Sequence, residues 1–352
     1  MENDMKKCLI HTEKPYEVVI GSGVSGKIGE YLTSLGLSGK VLVVSDTNVA
    51  PLYAEGVADE LVYHGFEPSI FTFDAGEESK NLSTYGDILA FLAEDEFTRT
   101  DTVLALGGGV VGDMAGFAAA TYMRGIHFII MPTSLLAAID SSVGGKTAVD
   151  LPQGKNLVGA FYQPELVLFD TDFMKTLPYD EIRNGLGEGV KYAVLEGGEI
   201  FDILSDGLTS DNLEQFIYLS VDAKRRIVEE DEKEGGVRKF LNLGHTIAHA
   251  VETLTEYVVP HGLAVAYGVR MMARFACERG ELAEEQYAKI EGLLLANDLA
   301  LELNPISELI PYFAADKKRA GDMITLVTIA GIGDCRLTKL PLDELKSYFG
   351  VE

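Results

Sequence analysis

Through the first half of the chain, short apolar runs rich in β-branched residues alternate with longer stretches of helical periodicity. YEVVI from Tyr16, KVLVVSD from Lys40, PSIFTFD from Pro68, TVLALGG from Thr102, HFIIMPT from His127 and LVLFD from Leu166 read as strands. Strands separated by helical segments predict a mostly parallel sheet with helices on its faces. From Tyr179 onward the apolar period lengthens. GLGEGVKYAVL, KFLNLGHTIAHAVETL, GLAVAYGVRMMARFACERG and EEQYAKIEGLLLAND each carry helical spacing, so the second half is expected to be a largely α-helical domain. Two late runs, MITLVTIAG and CRLTKL, predict a small hairpin. Pro152, Pro164 and Pro178 punctuate the passage between the halves. With the boundary at the last of them, the domains run 1–178 and 179–352.

Charge narrows the range of functions. A formal net charge of -26, from 29 Lys+Arg against 55 Asp+Glu, repels nucleic acid and anionic membranes, which excludes both as main partners. A chain this acidic that handles an anionic substrate must gather its cations locally, so lysines within glycine-rich motifs gain weight. Cys8, Cys277 and Cys335 have no CxxC spacing, which argues against a disulfide framework and a thiolate zinc cage. With no apolar run fit for a signal peptide or a membrane span, a cytoplasmic protein is expected.

Two glycine-rich stretches compete for a phosphate. GSGVSG, Gly21 to Gly26, follows a strand, and Asp46 ends the next one, the spacing with which a Rossmann-type fold binds a dinucleotide. Ser22 and Ser25 equally suit a polar turn that caps the following helix. GGGVVGD, Gly107 to Asp113, follows TVLAL and runs into VVGDMAGFAAATYM, read as a helix with small residues on one face. Consecutive glycines let the backbone approach a pyrophosphate, whose charge the helix N-terminus stabilises. Asp113, read into the first helical turn, would repel phosphate if it pointed inward and reads as a cap or a partner of a ribose or nicotinamide. The fold class expected is α/β: an N-terminal Rossmann-like, mostly parallel sheet domain followed by a largely α-helical C-terminal domain.

Half of the six histidines, His245, His249 and His261, fall between positions 245 and 261, which suggests a site. His245 and His249 are i, i+4 on a helix, so spacing alone nominates them as a ligand pair. Glu188, between two glycines in an otherwise apolar stretch, would be costly to bury without a cation or metal. Asp140, Lys146, Lys155 and Asn156 are read into glycine-containing loops, DSSVGGKTAV and GKN, where open α/β folds carry ligands.

The stretch GGGVVGDMAGFAAATYMRGIHFIIMPTSLLAAIDSSVGGKTAVDLPQGKNLVGAFYQP, with LGEGVKY, LNLGHTIAHAVE and HGLAVAYG further on, closely resembles the 3-dehydroquinate synthase family. The likeness runs from about Gly21 to about Gly321 and implies a phosphorus–oxygen lyase of the shikimate pathway that uses NAD and a divalent metal, Zn2+ or Co2+. Members convert 3-deoxy-D-arabino-heptulosonate 7-phosphate to 3-dehydroquinate and phosphate by oxidation, phosphate elimination, re-reduction and intramolecular aldol closure. The resemblance gives the pyrophosphate to Gly107, Gly108 and Gly109 and makes the first glycine run a structural turn. It implies further cofactor contacts at Asp46, Asn48, Glu77, Lys80, Val110, Asp113, Thr133, Ser134, Leu136, Asp140, Lys146, Lys155, Thr176 and Leu177.

For the metal it implies Glu188, His245 and His261, leaving His249 to the substrate phosphate, and such a set keeps positions open for substrate hydroxyls. Lys146, Asn156 and His249 belong by resemblance to the phosphate pocket, with Arg124 reaching in from the partner of a homodimer. Lys224, Arg238 and Asn242 resemble the carboxylate side, Lys155 and Lys191 the reacting region, and Lys317 or Lys318 a further phosphate contact. Asp140 would orient a substrate hydroxyl or a water. HGLAVA carries Leu263 where many members have glutamate, which leaves the partner of the other His261 nitrogen unassigned, and LGEGVKY has glycines where they have bulkier apolar residues. Other readings are a related sugar phosphate cyclase, a metal-dependent glycerol-type dehydrogenase and a non-catalytic nucleotide-binding protein.

Overall fold

The computed structural model describes residues 5–303, 306–313, 319–320 and 323–350. The chain divides into two compact units, Met1–Pro178 and Tyr179–Glu352.

In the first unit, strands β1 (Lys6–Ile10), β2 (Tyr16–Gly21), β3 (Lys40–Asp46), β4 (Glu67–Phe73), β5 (Thr102–Gly107), β6 (His127–Pro132) and β9 (Leu166–Asp170) form a seven-stranded sheet. Its order is β1-β2-β9-β6-β5-β3-β4, and every neighbouring pair is parallel except β1 with β2. Helices α1 (Ile28–Ser34), α2 (Ala50–Tyr63), α3 (Leu82–Glu94) and α4 (Gly109–Thr121) supply the crossovers. Residues of α1 and α2, among them Ile28, Leu32, Val57 and Leu61, share one buried cluster with Val41, Val43, Leu104 and Leu168 of the sheet. Covered on both faces, β5 and β9 are buried from end to end, which is why they read as unbroken apolar runs.

Three features depart from the pattern read along the chain. Strand β1 went unread because it is a short edge strand whose buried Cys8 and Ile10 alternate with exposed positions. The segment read as loops around Lys146 and Asn156 is instead a two-stranded hairpin, β7 (Lys146–Leu151) and β8 (Gly154–Phe161). Glycine there serves close strand contact rather than looseness: a Cβ on Gly159 would lie 2.1 Å from the Thr147 carbonyl oxygen. Third, α4 is buried on every side, with all six residues from Met114 to Ala119 in the core, so its small residues serve more than one face.

The second unit contains α5 (Tyr179–Glu196), α6 (Gly198–Asp206), α7 (Leu213–Glu230), α8 (His245–Leu254), α9 (His261–Glu278), α10 (Glu284–Ala296), the short α11 (Ile310–Phe313) and α12 (Leu342–Gly350). The segment read as one helix from Lys239 is broken. Val237–Asn242 form a 3-10 turn, Gly244 adopts φ +76°, and α8 starts at His245. The late hairpin is present as β11 (Met323–Gly331) and β12 (Asp334–Pro341), with β10 (Arg319–Ala320) added at the edge. Among the described residues no helix is long and apolar enough to cross a membrane.

Candidate active site

The C-terminal ends of β9, β6, β5, β3 and β4 lie side by side, and the chain reverses its winding between β3 and β5. Open α/β sheets bind ligands beyond such strand ends at such a reversal. The nucleotide-contact candidates cluster at these ends: Asp46 at the end of β3 and Asn48 just after it, Glu77 and Lys80 after β4, and Gly107 to Val110 with Asp113 from β5 into α4. Thr133, Ser134 and Leu136 follow β6, Asp140 sits in a π-helical turn just beyond, and Thr176 and Leu177 follow β9. Gly107, Gly108, Asp113, Ser141 and Lys146 line one cavity. The glycine run is also tightly packed: a Cβ on Gly107 would lie 2.5 Å from the Val111 side chain, and one on Gly109 would stand 3.2 Å from Ser141 Oγ.

Asp113 corrects two expectations. It is not in the first turn of α4, which holds no acidic residue, and it caps nothing. Its carboxylate instead meets Lys80 Nζ at 2.5 Å. Lys80 also donates to Asn156 Oδ1 at 2.6 Å, while the Asn156 N–H donates to Asp150 Oδ1 at 2.7 Å. Lys155 Nζ lies 3.4 Å from Glu77 Oε1. Burial works against the Lys80 charge, but the surrounding carboxylates, Asp113 foremost, outweigh it and raise its pKa. The loop after β4 is thus tied by ion pairs to α4 and to the hairpin.

The first glycine fingerprint is filled by the chain itself. Asp170, at the end of β9 and 1% exposed, accepts hydrogen bonds from Gly23 N at 2.9 Å, Ser25 N at 2.9 Å and Ser25 Oγ at 2.5 Å. The donors that could cradle a phosphate already hold a carboxylate. No signal near Gly21 reveals this, because the partner lies almost 150 residues away.

In the helical unit, close backbone contacts position an acid and two imidazoles. A Cβ on Gly187 of α5 would lie 1.9 Å from the Gly262 carbonyl oxygen of α9, and one on Gly268 would lie 2.1 Å from that of Gly244. Each contact is possible only without a side chain, and each neighbours a donor: Glu188, His261 and His245. Glu188 Oε1 lies 3.1 Å from His261 Nε2 and 3.4 Å from His245 Nε2. His245 donates Nδ1–H to the Leu243 carbonyl at 3.1 Å, so its Nε2 faces the carboxylate. One ligand atom from each of the three residues lies within 4.8 Å of the others. His249 is exposed on the next turn of α8, its ring 5.7 Å from that of His245 and outside this trio. Two imidazoles and a carboxylate turned toward one point fit a divalent ion with a coordination position left open.

Electrostatics sharpen the trio. Lys191 Nζ, as buried as Glu188 itself, meets Glu188 Oε2 at 2.5 Å. Burial pushes the Glu188 pKa up, but Lys191 and the imidazoles outweigh it and hold it well below the usual carboxylate range. His245 is shifted down by burial. Burial also disfavours charge on His261, yet its hydrogen bonds to Glu188 and Glu252 push it up to about 10. Glu252 is the residue that sequence reasoning missed. It is buried on α8, with Oε1 3.2 Å from His261 Nδ1. The available signal was an acid in HAVE, two turns after His245 and on the helix face that carries His245 and His249.

Lys224 is buried in α7, and the 3-10 turn carrying Arg238 and Asn242 packs against that helix. The approach is shaped by Asp231, which accepts from the N–H groups of Gly235, Gly236 and Arg238. Arg238, 1% exposed, donates to the Glu232 carbonyl, and Asn242 Nδ2 donates to Glu234 Oε1 at 3.2 Å. In the sheet unit, Arg124 is exposed and, like Met123 before it, has positive φ, 69° against 48°. Lys317 and Lys318 lie outside the described residues.

Residues 70–184 match the family model for the 3-dehydroquinate synthase N-terminal domain, and residues 185–319 match that for the C-terminal domain. The 3-dehydroquinate synthase of Streptococcus mutans serotype c is 43% identical over 343 residues, covering 95% of this chain and 97% of that protein. Among solved structures, 2-deoxy-scyllo-inosose synthase complexed with carbaglucose-6-phosphate, NAD+ and Co2+ is similar at TM-score 0.89 and 27% identity, covering 98% of this chain and 99% of the other. The 2-epi-5-epi-valiolone synthase of Streptomyces hygroscopicus subsp. jinggangensis, with NAD+ and Zn2+ bound, is similar at TM-score 0.85 and 26% identity, with 94% and 95% covered. Matched along nearly its whole length by such a relative and through both halves by the family models, the chain belongs to the 3-dehydroquinate synthase family.

Proposed function

We propose that this protein is a 3-dehydroquinate synthase, a phosphorus–oxygen lyase that converts 3-deoxy-D-arabino-heptulosonate 7-phosphate to 3-dehydroquinate and phosphate with NAD and a divalent metal. The observation that carries the reading is the convergence of Glu188, His245 and His261 in a chain 43% identical to a 3-dehydroquinate synthase. Similar enzymes bound to NAD+ with Co2+ or Zn2+ support the cofactor pair.

In this reading Glu188, His245 and His261 hold the ion, which when bound acidifies neighbouring substrate hydroxyls. Lys191 keeps Glu188 anionic for that task. The glycines from Gly107 to Gly109 seat the pyrophosphate against the start of α4, with Asp46 and Asn48 at the ribose. Lys146, Asn156 and His249 bind the substrate phosphate, joined by Arg124 from the partner of a homodimer. Lys224, Arg238 and Asn242 take the carboxylate, where buried cations make strong charge-assisted contacts. Asp140 orients a hydroxyl or a water, and the enzyme works in the cytoplasm.

Phosphate release from the heptulosonate phosphate, followed with and without a chelator, tests the reading. Release that needs NAD and stops with chelator, with no build-up of NADH absorbance, is the expected result. Accumulation of NADH would instead indicate a dehydrogenase.

A further inference from the structure

We propose that Glu252 is a positioning residue for the metal ion: its carboxylate holds the Nδ1–H of His261 and so aims Nε2 at the ion. The inference rests on the reading of Glu188, His245 and His261 as the metal ligands.

The two imidazoles are anchored differently. His245 is fixed through Nδ1 by a backbone carbonyl two residues away, a contact any sequence could supply. His261 is the first residue of α9, preceded by Pro260, and its side chain is 34% exposed, so helix packing does not settle its ring orientation. What is fixed there is the backbone: Gly262 N donates to Asn184 Oδ1 at 2.8 Å, and the glycine contact with α5 sets the depth of the helix. The remaining freedom is rotation of the imidazole, and Glu252 Oε1, 3.2 Å from Nδ1, removes it. Glu252 is 6% exposed on a face of α8 shared with buried Ile247, Ala248 and Val251. A carboxylate in that setting is costly unless it is paired. A carboxylate on the far nitrogen of a ligating histidine fixes its tautomer and raises its basicity, and losing such a partner typically weakens metal binding about 10- to 100-fold.

The test uses the full-length protein as wild type, Glu252→Leu, Glu252→Gln and Glu188→Ala. Zinc affinity is measured by competition with a chromophoric chelator, and the visible absorption bands are recorded for each protein loaded with cobalt. Glu252→Leu is expected to bind zinc about 10- to 100-fold more weakly, with altered cobalt bands. Glu252→Gln, whose neutral oxygen still accepts from Nδ1–H, is expected to lose less, about 3- to 10-fold, because charge-assisted hydrogen bonds are the stronger ones. A merely structural contribution would lower the melting temperature and leave the bands of the folded, loaded protein in place. Wild-type affinity and an unchanged cobalt spectrum in Glu252→Leu overturn the proposal. Should that variant fail to fold, the same pair of results in Glu252→Gln overturns it. Glu188→Ala separates the two readings: if it binds zinc like the wild type, the metal assignment itself fails, whatever Glu252 does.

Discussion

Gly187 and Gly262 meet backbone to backbone, so closely that a Cβ on Gly262 would lie 1.7 Å from the Asn184 carbonyl oxygen one turn earlier in α5. Each is the chain neighbour of a proposed metal ligand. Gly262→Ala must therefore push the start of α9 away from α5 and carry His261 with it. The expected result is a loss of about 1–3 kcal/mol of stability from overpacking, with weaker zinc binding. Denaturant unfolding and a metal titration on the same variant check both parts.

Asp170 fills the cradle at Gly23 and Ser25, and removing it deletes the hydrogen bonds that a buried carboxylate accepts from that turn. Asp170→Ala is expected to cost about 1–3 kcal/mol in stability, read from chemical denaturation. NAD affinity should stay at the wild-type level in that variant, whereas Gly108→Val should abolish it. A drop in NAD affinity confined to Asp170→Ala would move the nucleotide to the first glycine run.

The His261 shift gives a pH dependence with a definite sign. Its pKa in the metal-free protein stands at about 10, above the ordinary 6.5, so between those values its proton must be displaced by an incoming ion. Zinc affinity is expected to rise with pH toward 10, and calorimetry near pH 8 in buffers of different ionisation enthalpy should show about one proton released from this residue. The metal-free protein behaves in the opposite sense. A raised folded-state pKa stabilises fully below the unfolded value, and that contribution fades as pH climbs from 6.5 through about 10. Unfolding of chelated protein across this range checks the second half.

Lys80 shares its ammonium between Asp113 and Asn156, and Asp113 also lines the cavity of the sheet unit. Lys80→Met leaves the Asp113 carboxylate without its cation, with an expected cost of about 3 kcal/mol. Adding Asp113→Leu should recover part of that loss, because removing both charges is less harmful than removing one. A double-mutant cycle in stability, with KM for NAD followed in parallel, is the measurement.

The parallel sheet was legible because its central strands, β5 and β9 above all, are covered on both faces and read as continuous apolar runs. The helical second half was legible because α10 buries the stripe Ile290, Leu293 and Leu294 while α5 and α9 are long segments buried over most of their length. Local pattern gave out where the determining contact is distant. His245 and His249 share the nearer spacing, but the residue that shares a carboxylate with His245 is His261, brought in by a glycine contact that no helical period records. The hairpin carrying Lys146, Lys155 and Asn156 was read as loop because its glycines permit strand contact while lowering apparent strand character. Glu252 was passed over because burial, not sequence, distinguishes a paired acid from a solvated one. Spacing alone points to the first glycine run, whose donors Asp170 occupies across a separation of almost 150 residues.

The three donors come from α5, α8 and α9, so an ion gripping them would close two rings of chain, a long one from 188 to 245 and a short one from 245 to 261. It would act as a reversible crosslink, restricting the unfolded chain as a disulfide does and vanishing on chelation. Thermal resistance of the helical unit then becomes a gauge of metal occupancy, and starvation for zinc would leave this half of the molecule open to proteolysis before catalysis is ever assayed.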